Sequence, residues 1–234
     1  RQLDRRRGRC YSSQTVTITA AVFDMDGIIF DTERLSFETF KQASEEAGYE
    51  VSHEAFLASM GLPRRNIPPK LAEVLGSTFP ATQVLDRSYE LLESTVERHG
   101  PPLKAGVEEI LDALGERRIP AIVATSTDAA TARAYLDTAG LLQRFIGVVG
   151  GDEIERGKPE PDIFLHAAEK LETSPEHIIV FEDSMNGVRA GAAAGMRVIM
   201  IPDFIEPAPE VRAMAFAVVP SLHEAATVLG SLLA

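Results

Sequence analysis

The sequence predicts an α/β fold in three layers, helix, parallel sheet and helix, with an all-helical block inserted after the first strand. Three observations predict it. The apolar run Val16, Ile18, Ala20, Ala21, Val22, Phe23 ends in Asp24-Met25-Asp26-Gly27, as a buried strand ends in a turn. Residues 33–100 then carry only helical signals. From residue 101 onward helix and strand patterns alternate, as parallel strands joined by crossover helices do.

Ahead of the first strand, Arg1, Arg5, Arg6, Arg7 and Arg9 stand against one acid, Asp4, and Tyr11, Ser12, Ser13 and Gln14 follow. Residues 1–14 read as a disordered or leader tail, with organellar targeting as the alternative to a plain tail. Residues 15–32 and 101–234 are expected to form the sheet domain, and 33–100 a helical cap. Asp31 and Thr32 offer N-cap oxygens to a stretch in which Leu35, Phe37, Phe40, Ala43 and Ala47 recur at helical spacing until Gly48. A short helical segment covers 55–60 and another follows Pro69. A long one carries Val84, Leu85, Tyr89, Leu92 and Val96 and stops at Gly100-Pro101-Pro102. The later strands fall at 121–125, 146–149, 178–181, 198–201 and 217–219, with Gly140 and Gly195 placed to close the helices before them. The alanines of 190–194 suit close helix packing.

Composition excludes several classes. Of 234 residues 45% are hydrophobic, ordinary for a globular protein, so disordered and fibrous classes are excluded. No apolar run reaches the roughly 18 residues of a membrane span, and 213–219 stops at Pro220. A net charge of −12 opposes phosphate backbones, so neither nucleic acid nor membrane is an expected partner, and a monomer or weak homodimer is expected. One cysteine, Cys10, makes no internal disulfide and shares no zinc; a reducing, cytoplasmic location fits.

Four strand ends carry polar groups, and ligands of open parallel sheets bind at the carboxyl ends of strands. The first gives Asp24 and Asp26, which on an extended strand would face one side. The second gives Thr125-Ser126-Thr127, hydroxyls and N–H groups at a helix start where an anion can sit. The third leads to Gly157-Lys158-Pro159, and the fourth to Glu182-Asp183 followed by Ser184 and Asn186. Three or four acids converging with one lysine suit Mg²⁺ and a phosphate, because a hard cation takes oxygen ligands and bridges to phosphate oxygens. Each motif alone also has a plain structural reading. Asp-x-Asp is commonly a solvated turn, Thr125 a helix cap, Lys158 a solvated side chain and Glu182-Asp183 a helix start. The five histidines, His53, His99, His166, His177 and His223, lack paired ligand spacing and read as structural or exposed.

Taken as an ordered set over residues 18–203, DMDGIIFDTE, VATST, GKPEPDIF and FEDSMNG resemble the motifs of the haloacid dehalogenase superfamily, in its phosphatase and β-phosphoglucomutase-like branch. The resemblance implies a Rossmann-like core with a helical cap inserted after the first motif. It implies that Asp24 is the nucleophile and Asp26 the general acid and base, its backbone carbonyl also reaching Mg²⁺. Gly27, Thr125, the backbone of Ser126 and Lys158 would hold the transferring phosphoryl. Asp183, with Glu182 beside it, resembles the metal pair. Phosphate monoesters are so inert that such groups together must supply a rate gain of roughly 20 kcal/mol.

In the cap, Met60-Gly61-Leu62-Pro63-Arg64-Arg65-Asn66 resembles the branch's substrate-facing loop, with Arg64 matching its arginine, although a solvated charge is an equal reading. Dehalogenases and phosphonatases of the superfamily lack the second aspartate, which is present here as Asp26. The mutase branch carries a histidine twelve residues after the nucleophile, where this chain has Ser36. The expectation is a Mg²⁺-dependent phosphatase that hydrolyses a small phosphorylated metabolite, a sugar phosphate or nucleotide-derived monoester, through an aspartyl phosphate. A phosphosugar mutase and a non-catalytic binding module are the alternatives.

Overall fold

The computed structural model of the chain describes residues 17–233 apart from 61 and 63; the tail 1–14, the strand start at Val16, Gly61 and Pro63 lie outside the described residues. Among the described residues six strands form one parallel sheet in the order β3-β2-β1-β4-β5-β6. They are β1 (Ala20–Phe23), β2 (Ala121–Ala124), β3 (Val148–Val149), β4 (Ile178–Glu182), β5 (Arg197–Met200) and β6 (Ala217–Val218). Strands β2, β4, β5 and β6 form within a residue of where the apolar runs place them; β3 starts two residues later than expected, at Val148, because Ile146 is exposed, and β1 starts only at Ala20. Both faces of the sheet are buried, so its strands are continuously apolar, and alternate residues feed opposite layers. Ala21 and Phe23 of β1 face one layer with α5 (Val107–Glu116), α6 (Ala129–Thr138) and α10 (Leu222–Leu232). Ala20 and Val22 face the other, with α7 (Asp162–Lys170), α8 (Met185–Ala193) and α9 (Pro209–Arg212).

Strand order reverses between β1 and β4, so helices leave the sheet in opposite directions there and a crevice opens beyond the strand ends. Register is set by the pairing of Phe23 with Phe181, whose rings lie 4.7 Å apart. Asp24 donates its N–H to Phe181 O at 3.0 Å, which brings residue 24 level with the last residue of β4. The small residues of α8 serve close packing: a Cβ on Gly191 would run into Val198 on the sheet.

Between β1 and α5 the described residues form four α-helices, α1 (Thr32–Glu46), α2 (His53–Leu57), α3 (Ile67–Leu75) and α4 (Ala81–His99). They bury an apolar cluster of their own that includes Phe40, Ala43, Leu71, Phe79 and Val84. The two crossings into this block run side by side, since Asp31 N–H donates to Pro102 O at 2.8 Å and Lys104 N–H to Ile29 O at 2.9 Å. From the sheet side, Phe204 stacks edge-on to His53 with centroids 4.7 Å apart and reaches Phe56.

Local expectations differ in the structure at several points. The short helix expected at 55–60 is α2 at His53–Leu57, started by Ser52, whose hydroxyl accepts from Ala55 N–H at 3.2 Å. Asp31 occupies the N-cap position of α1 but makes no capping bond with its side chain. The neighbouring Thr32 hydroxyl turns to Asp26 instead. The helix expected after Pro69 starts earlier, at Ile67, because prolines at the first helical positions have no intrahelical N–H bond to lose.

Phe181 is fully buried against Phe23 at the centre of the sheet. Phe181→Ala should therefore lower unfolding stability by about 3–5 kcal/mol, read from denaturant midpoints at unchanged slope.

Candidate active site

Four segments end at the crevice between β1 and β4, and each brings residues marked in the sequence. Beyond β1 the chain turns sharply on itself, Met25 O accepting from the N–H groups of Ile29 and Phe30, at 2.8 and 3.0 Å. Asp24 and Asp26 thus leave from a turn rather than an extended strand, and their side chains meet different partners. Asp24 is buried and accepts from Lys158 Nζ at 2.7 Å. Asp26 accepts from Thr32 Oγ1 at 3.0 Å on one oxygen and from Thr127 Oγ1 at 3.1 Å on the other.

Lys158 reaches this point from the loop before α7. Its side chain is 7% exposed and its ammonium also bonds Glu182 Oε1 at 2.7 Å. The loop is clipped by a two-point pair between Arg156 and Asp162, at 2.9 and 2.7 Å, which brackets the lysine. Glu182, the fully buried last residue of β4, also accepts from Ser184 N–H at 2.7 Å. A Cβ on Gly187 would collide with this carboxylate, so the glycine of α8 is a steric requirement of the site. Gly27, at φ +80, has the same relation to Asp183, whose carboxylate occupies the space a side chain would need. Thr125 is buried and its hydroxyl accepts from Thr127 N–H at 3.1 Å, while Ser126 is exposed beside it.

Carboxylate oxygens of Asp24, Glu182 and Asp183 lie within 4.8 Å of one another. Three acids face one lysine, an imbalance that shows in their proton affinities. Burial pushes the Asp24 carboxyl up to about 7, despite the opposing charge of Lys158, and Glu182 adds to the rise. Burial likewise raises Asp183 far above the ordinary carboxylate range, with Glu182 and Asp24 repelling its charge. Burial opposes the charge on Lys158, but Asp24 and Glu182 outweigh it and the ammonium is held more firmly than usual. An all-oxygen donor set with surplus negative charge fits a hard divalent cation. The side chain of Asp26 stands outside this trio.

Beside the acids a cleft of about 340 Å³ is lined by Glu33, Met60, Asp183, Arg189, Asp203 and Phe204, among others. Glu33 is raised to about 7 by burial, with Asp203 adding to it, and Lys104 holds Asp203 at 2.7 Å. The cap residues singled out in the sequence, Ser36 and Arg64, are not among those lining this cleft. Ser36 lines a cavity among the cap helices. Arg64, on a 3-10 turn at Arg64–Asn66, is exposed and stacks 4.3 Å over the ring of Tyr89.

Sequence reasoning missed the two threonines that hold Asp26, the Arg156–Asp162 clip and the Glu33–Asp203 wall. Thr32 and Thr127 both stand inside the marked motifs; their contact to Asp26, 6 and 101 positions away, is set by tertiary structure.

The chain matches the family model described as haloacid dehalogenase-like hydrolase over residues 21–201. It is 35% identical over 180 residues to a phosphorylated carbohydrates phosphatase of Thermotoga maritima, covering 76% of this chain and 82% of that protein. It is 30% identical over 175 residues to the fructose-1-phosphate phosphatase YqaB of Escherichia coli, covering 75% and 92%. A solved structure from Thermotoga maritima, provisionally described as a β-phosphoglucomutase, superposes with a TM-score of 0.75 at 31% identity, covering 92% of this chain and 99% of that one.

The raised acids make stability depend on pH. Between the ordinary value of 3.8 and about 7 the folded protein keeps a proton on Asp24 that the unfolded chain has lost. The folded state then binds more protons, so stability falls as pH rises through this window. Asp183 acts in the same direction. In chelator, denaturant unfolding should show this decline between pH 4 and 7, and Asp183→Asn should flatten it.

Proposed function

The chain belongs to the haloacid dehalogenase-like hydrolases, and on that premise we propose that it is a phosphatase of small phosphate monoesters, using Mg²⁺ and an aspartyl-phosphate intermediate. The observation that carries the reading is the buried Asp24 carboxylate at the strand-order reversal. It is fixed through one oxygen by Lys158, with Asp183 and Glu182 in reach of the same cation and Asp26 two residues on. The phosphatase names of the relatives from Thermotoga maritima and Escherichia coli support the reaction and a sugar phosphate as substrate class.

The ammonium of Lys158 bonds Asp24 Oδ1, so Oδ2 is the oxygen turned to nucleophilic use. It attacks phosphorus, the ester P–O bond breaks, and an acyl phosphate forms on Asp24. Asp26 delivers a proton to the departing alkoxide, then takes one from the water that cleaves the acyl phosphate and releases inorganic phosphate. The Thr125 hydroxyl, the Ser126 N–H and the Lys158 ammonium offset charge on the phosphoryl oxygens. Asp24, Asp183 and Glu182, with the backbone carbonyl of Asp26, would hold Mg²⁺, which when bound supplies positive charge against the phosphoryl group. Both Glu182 oxygens already accept bonds from Lys158 and Ser184, so its main part is to fix the lysine and deepen the negative field.

Phosphate release from sugar phosphates should be lost in EDTA and restored by Mg²⁺, and Asp24→Asn should lower kcat at least ~10³-fold. Isomer formation exceeding phosphate release on β-glucose 1-phosphate with a bisphosphate primer would move the assignment to a mutase. Because protons and metal compete for Asp24 and Asp183, the rise in Tm produced by Mg²⁺ should be larger at pH 8 than at pH 5.

A further inference from the structure

Lys158 carries the positive charge that orders the site, yet it enters from a segment with little to hold it. Residues 155–157, 159 and 160 are exposed, and a Cβ on Gly157 would meet no atom within 4 Å. Glu160 N–H bonds Gly157 O at 3.1 Å, a turn around the lysine, and among the described residues this is the one backbone–backbone bond donated from 155–160. The lysine is deeply placed at its tip and loosely supported at its base.

The start of α7 supplies the support. Arg156 Nε donates to Asp162 Oδ2 at 2.9 Å and Nη2 to Asp162 Oδ1 at 2.7 Å, a two-point pair that fixes the plane of the guanidinium as well as its distance. An extended stretch from 156 to 162 would span about 20 Å. Here its ends are drawn into contact, and Lys158 stands inside the closed loop. Phe164, two residues past Asp162 and fully buried, places its ring centroid 5.1 Å from the Lys158 ammonium. The first turn of α7 therefore holds the lysine twice, through its loop at the surface and at its ammonium inside.

The pair matters more to geometry than to folding. An exposed ion pair adds little to stability, and the Arg156 side chain is 60% exposed. Displacing a reacting group by about 1 Å, in contrast, costs up to ~100-fold in rate. In the proposed reaction one ammonium orients Asp24, by bonding Oδ1, and offsets charge on the phosphoryl oxygens. A shift at the base of the lysine disturbs both.

We infer that the Arg156–Asp162 pair is a positioning element of the reaction that acts through Lys158, closing the lysine loop so that the ammonium keeps its place on Asp24 as the phosphoryl group arrives. The inference rests on the phosphatase reading above and adds to it an ion pair at the protein surface.

Two measurements on the full chain with Mg²⁺ test it. The first is kcat/KM for p-nitrophenyl phosphate. Arg156→Ala should lower it by ~10-fold or more at an unchanged denaturant midpoint, and adding Asp162→Asn should lower it by less than ~2-fold further, since the two side chains act as one unit. Arg156→Lys, which keeps the charge without the fork, should fall between wild type and Arg156→Ala. The second is acetylation of lysines by acetic anhydride, followed by peptide mass spectrometry, which needs no turnover. Lys158 should react ~5-fold or more faster in Arg156→Ala than in wild type, while exposed Lys41 on α1 reacts at the same rate in both. Lys158 acetylation unchanged in Arg156→Ala, or kcat/KM unchanged although Lys158 reacts faster, overturns the inference and leaves the phosphatase reading standing. Failure of the wild type to hydrolyse p-nitrophenyl phosphate or any sugar phosphate overturns both.

Discussion

The rest of the site depends on one buried ion cluster, in which the Lys158 ammonium is held between Asp24 and Glu182 with Asp183 against them. Taking one partner from such a cluster leaves an unpaired charge away from water, at a cost of about 3–5 kcal/mol. The surroundings are accordingly fixed in detail. Glu182 is bonded by the Ser184 backbone and packed on Gly187, Asp183 is seated on Gly27, and the lysine loop is clipped by Arg156 and Asp162. The acids do not share their single cation equally. Glu182 has both oxygens occupied, so the surplus negative charge falls on Asp24 and Asp183, the two whose proton affinity burial raises. A structural ion pair would be neutral; the surplus here is what a phosphatase would use for a divalent cation.

The sheet order explains why these groups meet. In the order β3-β2-β1-β4-β5-β6 the reversal lies between β1 and β4, the strands that deliver Asp24 and Glu182. Residues 158 positions apart thus become neighbours through pairing of adjacent strands. Thr125 comes from β2 on the other side of β1, and Lys158 from the loop that follows β3. The site is a consequence of the topology, and only the glycines and the Arg156 clip are local adjustments to it.

Much of this was legible in the sequence because the relevant signals are short-range. Buried parallel strands are apolar on both faces, so β2 to β6 stand out as apolar runs, and polar residues at their ends mark where burial stops. The order of the motifs was legible too. What was not legible depends on side-chain direction. Thr32 reads as a helix cap because a hydroxyl before a helix usually bonds its backbone; here a carboxylate six residues earlier competes for it and wins. Asp24 and Asp26 suggest a common face only if the strand continues, and it ends at Phe23. Arg64 carries a charge that solvent and the Tyr89 ring satisfy, and no spacing rule distinguishes that from a ligand contact.

Asp26 is one of the groups that join the sheet to the helical block. Its carboxylate is bonded on one oxygen by Thr127, fixed in the loop after β2, and on the other by Thr32, the first residue of α1. While both bonds hold, α1 cannot shift along its axis without turning the carboxylate, since the side chain has only two torsions and one is constrained from the sheet side. The first helix of the block is therefore aligned on the carboxylate to which the proposed reaction assigns the leaving oxygen's proton. A shift of the helical block and a turn of the Asp26 carboxylate are thereby one motion, linked through the Thr32 bond.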